Sequence, residues 1–297
     1  MLSDAQTAPC ELTFIGNATV LIRCGGFTLL TDPNFLHKGQ RAYLGYGLTS
    51  VRLKGPAITA RDLPTDLDAV VLSHLHDDHW DRIAERYLPR GLPVVTPPAA
   101  ARALVRRGFP HAVGLRTWES RIVTKGDRSV RFTAMPGRHG PGPLARLLPP
   151  VMGTLLEFGP SGGDPDLRMY ISGDTLMYAG IAEIPARHPG IDLGIVHLGG
   201  TTLPFGLMVT MDGRQGADWL ETIACPTAIP VHYDDYTVQK SPLSDFQREV
   251  ERRGLADRVH VVVRGQTVSL PTGRVVSETP SAPPKEAAPQ KTRSARE

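Results

Sequence analysis

Apolar positions along this chain fall mostly into short runs, and only a few segments hold a helical period. Glu11–Ile22 (ELTFIGNATVLI) alternates and is rich in β-branched residues, which reads as a strand. Gly25 and Gly26 then give a tight turn into a second strand, FTLLTDP, which Pro33 ends. Ala69–Ser73 (AVVLS) is a continuous apolar run of the kind buried on both faces of a sheet. Leu92–Thr96, Gly153–Phe158, Met169–Ser172, Asp192–His197 and Ala228–Val231 also read as strands. Hairpins are expected for Arg121–Val123 with Ser129–Met135, and for His260–Val263 with Thr267–Leu270 about Gly265. Helical spacing is confined to Asp81–Tyr87, Ala99–Arg107, Gly213–Cys225 and Leu243–Arg253. Many short strands with few helices predict an α+β protein in which two sheets are covered by helices. Asn34–Asp62 has no lasting period and reads as a long insert, functional or disordered.

A length of 297 residues suits one large domain or two small ones. The last 21 residues contain no aromatic residue and cannot bury enough apolar surface to order themselves. They predict a disordered tail at 277–297 behind a single domain at 8–276, with its insert at 34–62. The formal charge of +3 is too small to mark a polyanion-binding surface, so no nucleic-acid partner is expected. Cys10, Cys24 and Cys225 are odd in number and widely spaced, unlike a disulfide framework or a metal knuckle. With no leader-like N-terminus and no membrane-length apolar run, this spacing predicts a cytoplasmic protein in a reducing compartment.

The stretch Ser73–Asp81 (SHLHDDHWD) changes the picture. It packs three histidines and three aspartates into nine residues directly after the AVVLS strand. His74 and His76 share a facing in an extended stub, so one ion can take both imidazoles. Asp78 and His79 come at the turn into the next helix, where they can serve a second ion. Such ions take at least three protein ligands each, so the set is incomplete locally. Three residues sit just past other β-like runs and can complete it: His139 in MPGRHG, Asp174 after MYISG, and His232 after AIPV.

With these residues in hand, HLHDDH resembles the HxHxDH signature of the metallo-β-lactamase superfamily. The resemblance runs from Leu12 to about Leu270. It is nearest to the branch containing L-ascorbate-6-phosphate lactonase and the N-acyl-phosphatidylethanolamine-hydrolysing phospholipase D. FIGNATVLI, LLTDP, VVLSHLHDDHWD, YISGDT and VTMDGRQGADWL carry it. The resemblance implies a four-layer αβ/βα sandwich with a binuclear centre. His74, His76 and His139 would hold one ion. Asp78, His79 and His232 would hold the other, with Asp174 bridging. Asp32 in LLTDP would steady an imidazole ligand from behind. Two positions depart from the branch: Asn17 stands where histidine is frequent, and Trp80 where a small aliphatic is usual.

Imidazole and carboxylate ligands without thiolate suit two divalent ions, Zn²⁺ first and Mn²⁺ or Fe²⁺ next. Two such ions can share a hydroxide and stabilise a developing oxyanion, so a metal-dependent hydrolase is expected. Asp78 would orient the nucleophile and Asp174 set the spacing, and the substrate would be a small anionic phosphodiester or lactone. Arg138, beside His139, is either a phosphate or carboxylate contact or a surface ion pair. His197 either faces the cleft or is a core histidine, and Trp80 either narrows the site or fills a core gap. Lys38, Arg41, Arg52 and Lys54 of the insert form either an anion-attracting rim or a solvated face. Tyr43, Leu44 and Tyr46 would line an apolar pocket or a homo-oligomer contact. The alternatives are a lipid phosphodiesterase or nuclease, and, from another class, a di-iron redox protein or a non-catalytic scaffold.

Overall fold

The computed structural model describes residues 10–270; the expected tail at 277–297 and the outer edges of the 8–276 domain lie outside them. The first half contributes β1 (Cys10–Gly16), β2 (Thr19–Cys24), β3 (Phe27–Thr31), β4 (Arg41–Tyr43), β5 (Thr49–Val51) and β6 (Ala69–Val71). Helix α1 (Arg82–Tyr87), β7 (Val94–Thr96), α2 (Pro98–Arg106) and β8 (Ala112–Gly114) complete it. The second half begins with β9 (Ser120–Lys125), β10 (Arg128–Met135), β11 (Gly153–Pro160), β12 (Leu167–Ile171), α3 (Glu183–Arg187) and β13 (Leu193–His197). It ends with β14 (Thr202–Leu203), β15 (Leu207–Met208), α4 (Gly213–Ile223), β16 (Thr227–Val231), α5 (Leu243–Arg252) and β17 (Thr267–Leu270).

Two sheets dominate, ordered β17-β1-β2-β3-β6-β7-β8 and β16-β13-β12-β11-β10-β9. The period of two along each strand divides its apolar side chains between two cores. Leu12, Phe14, Val20 and Ile22 of the first sheet meet Val130, Phe132, Met169 and Ile195 of the second between the sheets. On the outer face of the first sheet, Leu30, Val70 and Val94 pack against Ala84 of α1 and Leu104 of α2. On the outer face of the second, Tyr170 and Val196 pack against Ile184 of α3, Trp219 of α4 and Phe246 of α5. Helix, sheet, sheet and helix thus stack as the four-layer αβ/βα sandwich of the metallo-β-lactamase fold.

β3, β6, β7 and β8 run parallel, as do β12, β13 and β16. All of these but β8 and β12 are buried along their whole length, which explains their continuous apolar runs.

Several expectations are corrected. Glu11–Ile22 is two strands, because the chain turns back at Gly16–Thr19 with Asn17 in the left-handed region at φ 51°. The closing hairpin does not form. His260 donates its backbone N–H to Ala228 beside β16, whereas β17 pairs with β1, so the two segments join different sheets. The insert is ordered: β4 and β5 form a hairpin within it, and Leu44 is buried against Leu36, Ala42 and Tyr236. No helix among the described residues is long and apolar enough to cross a membrane.

The cysteine reading is corrected as well. Glu11 pairs with Arg23 across β1 and β2, which puts Cys10 and Cys24 next in line, and the two are joined by a disulfide. A separation of 14 residues is short once a hairpin closes it, so spacing was no argument against the bond, nor in favour of a reducing compartment. Cys225 is free and buried, and burial pushes its thiol up to about 11. At pH 8 only about one part in a thousand would be thiolate, the reactive form. Iodoacetamide at that pH is expected to label no cysteine in the folded, oxidised protein, one after unfolding, and three after unfolding with reduction. Mass spectrometry reads the counts, and two labels on the unreduced, unfolded chain beyond Cys225 would exclude the disulfide.

Candidate metal centre

The polar residues gather at the carboxyl ends of the inner strands of both sheets, where neighbouring strand ends leave a crevice. Asp32 follows β3, Ser73 and His74 follow β6, and Asp174 follows β12. His197 ends β13, and His232 follows β16. His139 arrives from the loop after β10. The strand ends are fixed by two packed sheets, so the side chains start from rigid points.

Three groups of donor atoms result, each within 4.8 Å of one another: His74, His76 and His139; Asp78, His79, Asp174 and His232; and Asp32, His79 and His197. All of these residues are buried. In the first group His76 Nδ1 lies 3.0 Å from His74 Nε2 and 3.4 Å from His139 Nε2. The other nitrogen of His139 donates to the Val209 carbonyl at 3.0 Å, and a carbonyl can only accept. His139 Nε2 therefore turns its lone pair inward.

The second group follows the same logic. His232 Nδ1 donates to the Leu198 carbonyl at 3.1 Å. His79 Nδ1 faces Asp32 Oδ2 at 3.4 Å, and Asp32 Oδ1 accepts from the Ser73 N–H at 2.7 Å and its hydroxyl at 3.0 Å. The Nε2 atoms of His79 and His232 come within 3.3–3.7 Å of Asp78 Oδ2 and Asp174 Oδ2. Neither nitrogen makes a hydrogen bond, and Asp78 Oδ1 is equally unpartnered. Buried polar atoms are nearly always satisfied. Atoms that converge without bonding one another fit donors arranged around a shared cation. The residues present therefore fit two divalent metal ions, one in each of the first two groups.

Charge reinforces the arrangement. Burial opposes ionisation of Asp78, but the imidazoles of His79 and His232 outweigh it and hold the carboxyl down at about 2. Burial likewise opposes charge on Asp174, yet His232 and His79 hold its carboxyl well below the usual range. In His79, burial is overcome by the carboxylates of Asp174, Asp78 and Asp32, which raise its pKa well above that of ordinary imidazole. His76 is the opposite case: burial, then the neighbouring His139, lower it to about 4. One half of the site is thus a set of imidazoles held neutral, and the other carries two carboxylates with imidazoles whose affinity for protons they raise.

Behind the donors runs a buried network that the sequence reading did not anticipate. Asn17 donates its side-chain amide to the Asp78 carbonyl at 2.7 Å, and its own carbonyl accepts the His232 N–H at 2.9 Å. Its backbone N–H donates to Asp235, which also accepts from Arg52 at 3.2 Å and from Arg264 at 2.8 Å. Asn17 is thus a clamp between two donor loops. Asp81 caps α1 by accepting from Ile83 and Ala84, and its other oxygen accepts from Phe35, Leu36 and Asn34. Asn17, Asp32 and His232 all sit at positive φ (51°, 34° and 63°), a costly backbone state that clusters at functional sites. The DD of VHYDD, just past His232, was the available signal for Asp235.

The remaining candidates are now placed. Arg52 is not on a rim: it is fully buried on Asp235 and Asn34 and stacks on Tyr236. Lys54 pairs with Asp234. His197 lies among the donor residues. It is fully buried, and its Nδ1 donates to Asp174 Oδ1 at 3.1 Å, opposite the oxygen near His79. Thr210 donates to Asp174 Oδ2 at 2.9 Å. Trp80 is buried edge-on against Phe109 as a core filler, though one side reaches a surface pocket. Arg138 is exposed and stacks on Tyr178 with its guanidinium 4.3 Å from the ring centre, rather than forming a surface ion pair.

Two outcomes follow. Arg52→Ala leaves Asp235 buried with half its cationic partners, and unfolding in denaturant should show a loss of about 3–5 kcal/mol. A loss below about 1 kcal/mol would show that the pair is not structural. His197→Ala removes the bond that orients Asp174, so Zn²⁺ titration should show weakening of one equivalent by about 10–100-fold, with the other retained. Equal weakening of both, or of neither, would remove this role.

Comparison with known proteins agrees with the geometry. Residues 30–233 match the β-lactamase superfamily domain. A UPF0173 metal-dependent hydrolase of Deinococcus radiodurans is 27% identical over 267 residues, covering 88% of this chain and 99% of that protein. The UPF0173 protein YddR of Bacillus subtilis is 28% identical over 275 residues, covering 88% and 100%. Among solved structures, an isothiocyanate hydrolase from Delia radicum gut bacteria superimposes with a TM-score of 0.73 at 21% identity, covering 88% and 100%. The buried donor clusters, the αβ/βα sandwich that holds them and the domain match together place this chain in the β-lactamase superfamily, with a site of the metal-dependent hydrolase type.

Proposed function

We propose that this chain is a binuclear metal-dependent hydrolase acting on a small anionic molecule, a lactone or a phosphodiester. One observation carries the reading: two adjacent buried donor groups, in which His79 Nε2, His232 Nε2 and Asp78 Oδ1 make no hydrogen bond. His74, His76 and His139 would hold one ion, and Asp78, His79, Asp174 and His232 the other, with Zn²⁺ preferred over Mn²⁺ or Fe²⁺ for this ligand set. Such ions would acidify water into a nucleophile and stabilise the oxyanion that forms at carbonyl or phosphorus.

The chain's own groups do the rest. Asp78, with one oxygen free of any hydrogen bond, is placed to orient the attacking water. Asp174, held from both sides by His197 and Thr210, would keep the two halves of the site in register. Asp32 fixes the His79 tautomer through Nδ1. Arg138 presents an exposed guanidinium next in sequence to His139, which suits a phosphate or carboxylate on the substrate. The resemblance to the lactonase and phospholipase D branch supports the choice of these two reactions. The mild net charge favours a small substrate over a nucleic acid.

The test is metal analysis with a substrate panel of bis-p-nitrophenyl phosphate, sugar-phosphate lactones and acyl lactones. Two equivalents of metal, turnover of at least one class, and a fall of about 100-fold or more in kcat for Asp174→Ala and Asp78→Ala are expected. Fewer than two equivalents in reconstituted protein would sink the binuclear reading. Unchanged activity in Asp174→Ala would remove its role.

A further inference from the structure

A cavity of about 440 Å³ opens against His76, one of the donors of the first group. It has three walls. The β4–β5 hairpin supplies Tyr43 and Tyr46, the loop after β6 supplies Leu75 and Trp80, and the segment before β11 supplies Leu147 and Leu148. Tyr43, Tyr46 and Leu147 are among the few large apolar side chains left exposed, at 50%, 71% and 60%.

The walls are built rather than incidental. Gly45, Tyr46 and Gly47 all lie at positive φ (87°, 51° and 78°), so the hairpin tip spends an unfavourable left-handed tyrosine to project that ring outward. The Tyr46 hydroxyl donates to the Leu147 carbonyl and joins two walls. Tyr43 is fixed to the donor loop by two backbone links. Its N–H donates to Asp77 Oδ2 at 3.0 Å, and its carbonyl accepts the Asp77 N–H at 3.2 Å. The two charged groups lining the cavity are already engaged, Asp77 with Tyr43 and Arg107 with Glu85 at 3.3 Å. Beside these charged groups the cavity offers aromatic and aliphatic surface next to a proposed metal-binding imidazole.

We infer that this cavity receives an apolar substituent of the substrate, a short alkyl chain or a single aromatic ring next to the bond that is cleaved. The inference rests on the hydrolase reading and deepens it. The substrate is anionic or electrophilic at one end and apolar at the other, and Tyr46 and Leu147 set its preference. Burying one methylene shifts an equilibrium by about fourfold, so even a half-open pocket should discriminate strongly between a methyl and a hexyl group.

The experiment uses the full chain loaded with Zn²⁺ and compares calorimetric binding of methyl-, hexyl- and phenylphosphonate. Kinetics on acyl lactones of increasing chain length run alongside. Hexyl- and phenylphosphonate should bind at least about tenfold more tightly than methylphosphonate. In Tyr46→Ala and Leu147→Ala that ratio should fall to within about threefold, and Tyr46→Phe should retain most of it. Circular dichroism melting confirms that the variants fold. A wild-type ratio near one, or a ratio unchanged in both alanine variants, overturns the pocket assignment whether or not the protein turns over a lactone. Absence of turnover across the whole panel, with a large phosphonate ratio that Tyr46→Ala abolishes, overturns the hydrolase reading and leaves the pocket standing.

Discussion

Two carboxylates, Asp78 and Asp174, are buried with five imidazoles in a volume from which water is almost excluded, and the rest of the structure answers to that fact. Isolated charges in such a place are costly, and a half-satisfied polar cluster is worse than an apolar core. The cluster is tolerated because its members are satisfied from behind. Carbonyls of Val209 and Leu198 take the outer nitrogens of His139 and His232, while Asp32, His197 and Thr210 hold His79 and Asp174. The Nε2 atoms of His79 and His232, left without a hydrogen bond, face the two carboxylates. A protein that needed only to neutralise these groups would pair them directly, whereas here they are held near contact without bonding, which leaves a place for positive charge supplied from outside the chain.

Holding that geometry requires more than loops. The donors begin at the ends of strands in two different sheets, so their separation is set by sheet packing. The connecting loops must then be stopped from relaxing. Asn17 ties the Asp78 loop to the His232 loop, and Asp235 ties Asn17 to Arg52 and Arg264. An ion pair as buried as Arg52–Asp235 is weak evidence for stability in itself, since desolvation offsets much of the attraction. Its value here is positional: it welds the insert to the loops that carry the donors. Strained φ values at Asn17, Asp32 and His232 show that these loops are held away from their local minima.

The division between what the sequence disclosed and what it hid follows from range. SHLHDDHWD discloses itself because four donors lie within six residues, and its distant partners each follow a recognisable buried strand. Strands buried on both faces are legible for the same reason, as uninterrupted apolar runs. Failures arise where the deciding contact is remote. Arg52 reads as a surface cation until Asp235, 183 residues away, is brought to it. His197 reads as a cleft residue because strand ends usually are, and its bond to Asp174 is visible only once β12 and β13 are brought side by side. The turn at Asn17 is hidden in an alternating run, and with it the hairpin that places Cys10 beside Cys24. His260–Val263 and Thr267–Leu270 each have strand character, but the contest between two sheets for them is not a local property.

Chemistry and selectivity come from different parts of this chain. The donors stand on strand ends that the sandwich cannot move without losing its core, so the reaction class is bound to the fold. The walls of the cavity against His76 come largely from the insert and from the segment before β11, connections that lie outside the two main sheets. Yet the insert does not float: Tyr43 and Asp77 exchange two hydrogen bonds, and Arg52 is anchored in the same buried network as Asn17. A substituent pressing on Tyr43 would therefore press on the loop that carries His76 and Asp78. Recognition of the apolar end and alignment of the reacting end are mechanically one event, and that is how a nonpolar contact can contribute to turnover as well as to affinity.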